Sequence, residues 1–150
     1  MSAMFFAEET WDNFYSDVKE LFQKHHEEVD VYGIPLDINE QQYKEMNDVD
    51  CLLIHTIRDE SNKLLGYSMS IVCYHMHHKT SLQARQDVIY INEELRGKGY
   101  LKEFLSYIES ELKEFGVSYF LIAVPSHMSW GNSLLKRDYK EVENIYAKEL

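Results

Sequence analysis

The sequence predicts a mixed α/β fold, in which helices flank a mostly antiparallel central sheet. Strand-like runs at residues 51–57 and 64–76 are joined by a short polar turn, which is typical of an antiparallel hairpin. A strand, a helix and a second strand then follow one another over residues 86–124, and this order requires a parallel, right-handed crossover. Both kinds of pairing therefore belong to one sheet that is covered by helices.

Each predicted helix rests on apolar spacing and on the residues at its ends. The first has apolar side chains at helical intervals from Trp11 to His25, with Thr10 as its N-cap. The helix at residues 100–115 has one apolar face and ends at Gly116, a natural C-cap. The full set is: strands at 4–7, 51–57, 64–76, 86–92, 117–124 and 139–148, and helices at 11–28, 39–47, 100–115 and 128–137.

The predicted strands differ in how they bury their two faces. In the strand at residues 64–76, small residues are expected to make one face narrow, opposite a face with large side chains. The narrow face has Gly66, Ser68 and Ser70; the other has Leu65, Tyr67, Met69, Ile71 and Cys73. Residues 77–85 are expected to form a polar link, and the apolar strand at 117–124 to be covered on both faces.

Length and composition predict one globular domain over residues 1–150. Hydrophobic residues make up 45% of the chain and aromatic residues 13%, which argues against disorder. No apolar run reaches the roughly 18 residues that span a membrane, and the N-terminus lacks the basic region of a secretory signal. Cys51 and Cys73 lie in apolar strand-like runs, so buried thiols and a reducing, cytoplasmic location are expected.

The charge of the chain bears on its partners. Its formal net charge is −11. Such an acidic chain is not expected to bind nucleic acid through phosphates, and it favours cationic substrates or basic protein surfaces. Plain solubility is the other interpretation of a negative surface.

A glycine-containing turn separates the strand at residues 86–92 from the helix at 100–115. The turn reads Arg96-Gly97-Lys98-Gly99. Glycines allow close approach of a phosphate, and the free N–H groups of a first helical turn point at it with the helix dipole behind them. The sequence therefore predicts an anion site here, with an ordinary strand-to-helix connection as the alternative.

The order of elements and this turn resemble the GNAT (Gcn5-related N-acetyltransferase) superfamily. Its pyrophosphate loop, Arg/Gln-x-x-Gly-x-Gly/Ala, is similar to residues 96–101, although Leu101 replaces the last small residue. Residues 75–79, 84–90 and 139–148 resemble GNAT proteins encoded by bacteriophages and their bacterial relatives. Leu134 stands where the family often has a tyrosine that protonates the departing thiolate, and Asp138 where it usually has a glycine.

The resemblance implies an acyl-CoA-dependent N-acetyltransferase that moves an acetyl group from acetyl-CoA to a primary amine. The acceptor would be a small molecule or a protein lysine, which includes a lysine-bearing host protein if the chain is phage-encoded. The pantetheine arm would lie along Ile89 and Ile91. The residues implied for the pyrophosphate are Leu95, Arg96, Gly97, Lys98, Gly99, Tyr100 and Leu101.

Three residues are candidates for proton transfer. Asp87 precedes the apolar run of its strand, where a carboxylate could orient the ammonium or take its proton. His127 follows a parallel strand, where ligands gather in such sheets, and it could replace the missing tyrosine. Tyr146 is a third candidate. The alternatives are a structural Asp at a strand start, a surface His and a packed aromatic side chain.

Candidates for acceptor binding are His75, His77 and Tyr90. Two histidines at this spacing share one strand face, and a neutral imidazole can serve as a base near pH 7. With Cys73 or His127 they also have the potential to bind zinc. No second ligand pair at recognised spacing supports such a site, so no metal is expected.

Two other functions stay open. The chain could be a binding protein that keeps the fold but has lost catalysis, which the leucines at positions 101 and 134 favour. It could also be a host-directed interaction protein whose acidic surface docks on a basic partner. A homodimer is compatible with any of these functions.

Overall fold

A computed structural model describes residues 2–150, and its strands form one five-stranded sheet in the order β1-β2-β3-β4-β5. Neighbouring strands from β1 to β4 are antiparallel, and β4 and β5 are parallel. The predicted mixed, mostly antiparallel sheet is confirmed. The elements are β1 (Met4–Glu9), α1 (Trp11–Val29), α2 (Glu40–Asp48), β2 (Leu52–Asp59), β3 (Leu64–His75), β4 (His78–Ile91), α3 (Tyr100–Phe115), β5 (Tyr119–Leu121) and α4 (Gly131–Leu135).

Helices cover both faces of the sheet, and each face has its own apolar cluster. The first cluster packs α1 against the sheet: Trp11, Phe14, Val18, Leu21, Phe22, Leu52, Ile54, Leu64, Tyr67, Met69 and Tyr90. The second packs α3 against the opposite face: Leu53, Ile57, Leu65, Val72, Ala84, Ile91, Leu95, Phe104, Ile108 and Leu112. None of the helices described over residues 2–150 is long and apolar enough to cross a membrane.

The helix ends follow the predicted capping chemistry. Thr10 accepts a hydrogen bond from the N–H group of Asn13 at the start of α1, and Asn39 accepts one from Gln42 at the start of α2. Gly116 ends α3 in the left-handed conformation, with a φ of 106°. Local sequence signals therefore place the beginnings of α1 and α2 and both ends of α3 within a residue or two.

The β3–β4 hairpin is longer than predicted. The link expected at residues 77–85 is wrong, because β4 begins at His78 and pairs with β3 from there onward. The first residues of β4 are exposed on both faces, and their side chains are accordingly polar. A strand that extends beyond the covering helices lacks the apolar alternation by which strands are recognised. Cys73 lies in this exposed part, which contradicts the expected buried thiol.

The C-terminal part of the chain has less regular structure than predicted. The strand expected at residues 117–124 contains only β5, and the helix expected at 128–137 contains only α4. The closing strand expected at 139–148 is wrong, because no strand is assigned there. Its apolar residues Val142, Ile145 and Tyr146 are all exposed. They do not alternate with period two, so neither face of such a strand would be apolar.

A register shift between β2 and β3 reverses one predicted side-chain direction. The ladder pairs Ile57 with Gly66 and Arg58 with Leu64, which leaves Leu65 as an extra residue. Leu65 consequently packs in the α3 cluster, on the opposite face from its predicted neighbours Tyr67 and Met69. A bulge shifts the alternation of side chains by one position.

Replacement of Gly66 by alanine is expected to destabilise the fold by about 1–3 kcal/mol, as overpacking does. A Cβ atom there would lie 2.9 Å from Ile57 Cδ1 and 3.0 Å from the backbone oxygen of Tyr90. The matched control is Ser68→Ala on the same strand face, since Ser68 is fully buried and its Oγ has no hydrogen-bond partner. Loss of that hydroxyl is expected to be neutral or stabilising. Urea unfolding measures both, and equal stability of the two variants would contradict the close packing at Gly66.

Candidate active site

The sheet opens between β4 and β5. The parallel pairing covers only residues 83–85 of β4 and residues 119–121 of β5, whereas β4 continues to Ile91. The buried Gln86 lies at the beginning of the opening. With its amide oriented by the hydrogen-bond network, it donates to the Ala123 carbonyl (3.2 Å) and accepts from the Ile89 N–H group (2.8 Å). Beyond Gln86, the side of β4 that faces β5 has no strand partner within residues 2–150.

Asp87 occupies a β-bulge at the point where the two strands part. The ladder with β3 pairs Met69 with Val88 and Ser70 with Gln86, so Asp87 is the extra residue. Bulges often lie beside active sites, because they redirect one side chain. The Asp87 carboxylate is solvent-exposed and accepts a hydrogen bond of 2.5 Å from the Tyr43 hydroxyl of α2. Burial, and then the neighbouring Asp87, raises the pKa of Tyr43 above its ordinary value near 10, so the phenol remains a donor.

The α1 and α2 helices hold Tyr43 in place through aromatic packing. Its ring stacks on Trp11 at a centroid distance of 5.2 Å, and Trp11 also stacks on Tyr15 at 4.8 Å. The Tyr15 hydroxyl in turn donates to Glu40 at the start of α2. The hydrogen bond to Asp87 is therefore directed by a rigid aromatic stack.

At the other end of the opening, the chain from β4 to α3 exposes a row of backbone donors. A short 3-10 helix, Glu93–Leu95, precedes Arg96, and Gly97 and Gly99 then take φ values of 73° and 90°. L-residues with side chains rarely adopt these values. No atom lies within 4 Å of a Cβ built on either glycine. Within residues 2–150, none of the N–H groups of residues 97–102 donates a well-aligned hydrogen bond of 3.5 Å or less.

The Arg96 side chain anchors this loop to β4 and α1. Its Nε donates to the Ile91 carbonyl (2.8 Å), and its Nη2 donates to both carboxylate oxygens of Glu28 on α1 (2.8 and 2.9 Å). The guanidinium lies over the Tyr90 ring, 5.5 Å from the centroid. Lys98 Nζ donates to the Glu94 carbonyl (2.7 Å). In this arrangement both cationic side chains contact the protein, and the backbone N–H groups remain available to an anion.

A buried aromatic cluster supports Tyr90 and Arg96. The Tyr90 ring stacks on Tyr67 at 5.7 Å and lies 5.4 Å from the His25 ring. His25 Nδ1 is 3.0 Å from the Tyr67 hydroxyl. Burial, followed by the charge of Arg96, lowers the pKa of His25 to about 4, so this imidazole is neutral at pH 7. Tyr90 is therefore a buried support of the loop, and its side chain packs within the α1 cluster.

A small cleft lies between the end of α1 and the end of β4. It has a volume of about 280 Å³ and is lined by Lys24, Glu27, Glu28, Tyr90, Asn92 and Glu93. Three carboxylates and one ammonium group make it acidic. This cleft suits a cation better than a phosphate, and it is separate from the N–H groups of residues 97–102.

The other candidate residues lie in three different places. His127 Nε2 lies 2.8 Å from the Glu28 carbonyl, to which it donates, so the β5–α4 loop contacts the same residue as Arg96. Tyr146 is 90% exposed in the C-terminal segment. His75 and His77 lie at the tip of the β3–β4 hairpin, where His75 Nδ1 accepts from the His77 N–H group (3.1 Å). Nine residues of β4 separate the tip from Asp87, a distance of about 30 Å.

Asp87 lies in β4, and the glycine loop follows the end of the same strand. His75, His77 and Tyr146 lie apart from both. The pantetheine candidates Ile89 and Ile91 lie on β4 between the two sites, and the side chains of Leu95, Tyr100 and Leu101 pack with the α3 cluster. The sequence did not predict Tyr43, Gln86 or Glu28 as site residues. For Tyr43, the only signal was an aromatic residue in a short predicted helix, which carries no information about a partner 44 residues away.

No family model matches the chain, and no curated protein matches its sequence. Solved structures match over nearly the whole chain. A ribosomal-protein-alanine N-acetyltransferase from Brucella melitensis biovar Abortus 2308 is 14% identical, with a TM-score of 0.73 and coverage of 99% of both chains. An aminoglycoside acetyltransferase from an uncultured soil metagenomic sample is 10% identical, with a TM-score of 0.75 and coverage of 98% of this chain and 97% of the other.

A third match is a predicted acetyltransferase from Clostridium acetobutylicum, whose structure was determined with acetyl-CoA. It is 13% identical, with a TM-score of 0.72 and coverage of 98% of this chain and 96% of the other. At sequence identities this low, the structural similarity establishes a shared fold. The chain therefore has the fold of these acetyltransferases, which is the fold that its resemblance to the GNAT superfamily implies.

Proposed function

We propose that the protein is an N-acetyltransferase that transfers an acetyl group from acetyl-CoA to a primary amine. The observation that carries this proposal is the placement of two features along one segment of the chain, the first in β4 and the second just after its end. Asp87 lies where β4 and β5 part, and the free N–H groups of residues 97–102 follow the end of β4. A ligand with phosphates at one end and a thioester at the other matches this arrangement.

In this proposal acetyl-CoA lies in the opening with its pyrophosphate on the N–H groups of residues 97–102. The dipole of α3 adds partial positive charge at the same place, because Gly99 is the N-cap of this 16-residue helix. The pantetheine arm follows the unpaired side of β4 toward Asp87. The five residue-to-residue steps from Asp87 to Asn92 span about 17 Å, which separates the phosphate end from the reacting end.

The acceptor amine approaches Asp87 from the side of α1 and α2. At pH 7 an alkylammonium with a pKa near 10.4 is almost wholly protonated and cannot attack. Asp87 takes the proton, the neutral nitrogen attacks the thioester carbonyl, and the bond between carbon and sulfur breaks. The attacking nitrogen releases its second proton to water as this bond breaks, so the products are an amide and a CoA thiolate, and the thiolate takes a proton from water. A free thiol has a pKa near 8.5, so this step works without a tyrosine at the position of Leu134.

The acidity of the chain supports a cationic acceptor. The net charge is −11, and carboxylates line the cleft beside α1. The negative electrostatic potential of these carboxylates raises the local concentration of cations. By their names, the aminoglycoside acetyltransferase among the structural matches acts on an aminoglycoside, and the ribosomal-protein-alanine enzyme acts on a protein. Both acceptor classes, small polycationic amines and amines on proteins, therefore belong in the test.

The experiment is thiol release from acetyl-CoA across a panel of acceptors. The panel contains aminoglycosides, linear polyamines, lysine-bearing peptides and peptides with a free N-terminus. We expect release above the acceptor-free rate with at least one class, together with acetylated product by mass spectrometry. Acetyl-CoA binding without release on any acceptor would identify a binding protein that has lost catalysis. Absence of acetyl-CoA binding would reject the proposed function.

Tyr43→Phe is expected to lower kcat roughly 3- to 10-fold and to leave the Kd for acetyl-CoA unchanged. The phenol orients the carboxylate of Asp87 through one hydrogen bond, worth about 1 kcal/mol in typical cases. The matched control is Tyr15→Phe. It also removes a phenol-to-carboxylate hydrogen bond, but this bond joins α1 to α2 and does not involve Asp87. Steady-state kinetics compares the two. Equal losses would show that Tyr43 acts through the docking of α2 and not through Asp87.

A further inference from the structure

The α3 side of the sheet contains a polar group that the proposed function does not use. Glu8 of β1 and His55 of β2 are directly opposed in the antiparallel ladder, so their side chains share one face. The side chain of Glu111, on α3, lies next to both of them on this face of the sheet. A ring nitrogen of His55 and one carboxylate oxygen from each glutamate lie within 4.8 Å of one another.

His55 is the unusual member of this group. Its side chain is fully buried, and neither ring nitrogen has a hydrogen-bond partner among the residues that the structure describes, 2–150. Buried polar groups in folded proteins are almost always satisfied, so an imidazole with both nitrogens free points to a missing partner. The edge of the Tyr107 ring packs against it at a centroid distance of 5.8 Å, which holds the ring in place.

The surrounding charge favours a cation. Within residues 2–150, no lysine or arginine forms an ion pair with Glu8 or Glu111. A divalent cation would reduce the repulsion between the carboxylates of Glu8 and Glu111. The same ion would give a ring nitrogen of His55 a partner.

We propose that Glu8, His55 and Glu111 bind a divalent transition-metal cation, for which Zn²⁺ is the best match. One imidazole nitrogen and two carboxylate oxygens are ligands that zinc accepts, whereas magnesium and calcium prefer oxygen alone. Four-coordinate zinc places its ligand atoms about 3.3–3.6 Å apart, and rotation of the two glutamate side chains closes the difference. Glu8 is exposed on an edge strand, which gives the ion a path from solvent.

Such an ion would cross-link β1, β2 and α3 on the face of the sheet opposite α1 and α2. It does not depend on the proposed acetyl transfer, since Asp87 and Tyr43 belong to the α1 and α2 side. Three protein ligands leave a fourth position for water. The site was not recognisable from spacing, because its ligands come from positions 8, 55 and 111.

The test is a Zn²⁺ titration of the full chain, prepared without a histidine tag and stripped with a chelator. Competition with a chromophoric chelator gives the stoichiometry and the Kd. We expect one Zn²⁺ per chain, with Mg²⁺ binding far more weakly. A concentration one hundred times the Kd should raise the Tm by roughly 5–10 °C.

Glu8→Gln and Glu111→Gln are each expected to weaken Zn²⁺ binding at least about 10-fold, since groups around a metal commonly contribute that much. Both glutamates reach solvent, so the variants should fold, and circular dichroism checks this. Glu114→Gln, on the exposed side of the same helix, is the matched control and should bind Zn²⁺ like the unaltered chain.

A second control concerns the histidines at the tip of the β3–β4 hairpin. The double variant His77→Ala, His78→Ala removes exposed rings that could hold zinc by themselves. It should keep the tight, stoichiometric binding. The proposal is overturned if the unaltered chain binds no stoichiometric Zn²⁺, if binding disappears in the hairpin variant, or if both glutamine variants bind with unchanged affinity.

Discussion

Asp87→Asn is expected to lower kcat/KM at neutral pH by roughly 100-fold or more, the usual size of a general-base effect. The asparagine keeps the shape of the side chain and can still accept the hydrogen bond from Tyr43, so the change removes the base and its charge. The affinity for acetyl-CoA should be unchanged, because Asp87 lies about 17 Å from Asn92, the residue after the end of β4, and the glycine loop follows beyond it.

The dependence on pH identifies the role of this carboxylate. As the pH approaches the pKa of the acceptor amine, a growing fraction of the amine is neutral and needs no base. The rates of the variant and of the unaltered enzyme should therefore converge at alkaline pH. Asp138→Asn removes one exposed carboxylate at a position with a φ of 65°, which asparagine tolerates, and is the matched control. A fully active Asp87→Asn with an unchanged pH profile would remove Asp87 from the mechanism.

Gly99→Asp is expected to weaken acetyl-CoA binding by roughly 10- to 100-fold. The substitution places a side chain over the N–H groups of residues 97–102 and sets a negative charge against the pyrophosphate. A single buried charge repulsion or the loss of charge-assisted hydrogen bonds is worth about 1.5–3 kcal/mol, or a factor of ten to a hundred in Kd. Isothermal titration calorimetry measures this directly.

The control for Gly99→Asp lies at the other end of the same helix. Gly116 has a φ of 106°, so Gly116→Asp carries comparable backbone strain and also places an acidic side chain next to α3. It should destabilise the protein at least as much, since an acidic residue is unfavourable at a helix C-terminus. Its acetyl-CoA affinity should nevertheless match that of the unaltered chain. Equal loss of affinity in both variants would show that the effect is general destabilisation.

The glycine loop could be predicted from the sequence because its signals are local. A strand, two glycines and a helix with one apolar face occur within thirty residues, and the structure places the beginning of α3 one residue after Gly99. The same is true of α1, whose N-cap and apolar period are adjacent in the chain. Local propensity and hydrophobic period carry this information without reference to tertiary contacts.

The contacts that complete the site depend on packing between distant segments. Tyr43 and Asp87 are 44 residues apart, and Glu28 and Arg96 are 68 residues apart. His55 sits in an apolar strand, where the sequence gives no indication that its ring faces two glutamates. The prediction of a closing strand at residues 139–148 was wrong for a different reason. Val142, Ile145 and Tyr146 have β-propensity, but the three side chains would not all lie on one face of a strand, and all are exposed. Propensity without a buried face does not make a strand.

The most direct test of the central claim is a ¹H–¹⁵N NMR titration of the unaltered protein with acetyl-CoA. If acetyl-CoA occupies the opening between β4 and β5, the amide signals of residues 97–102 and 87–91 should show the largest saturable shifts. The hairpin tip around His75 and His77 should remain unaffected. Absence of saturable shifts, or shifts confined to the hairpin tip or the C-terminal segment, would contradict the account.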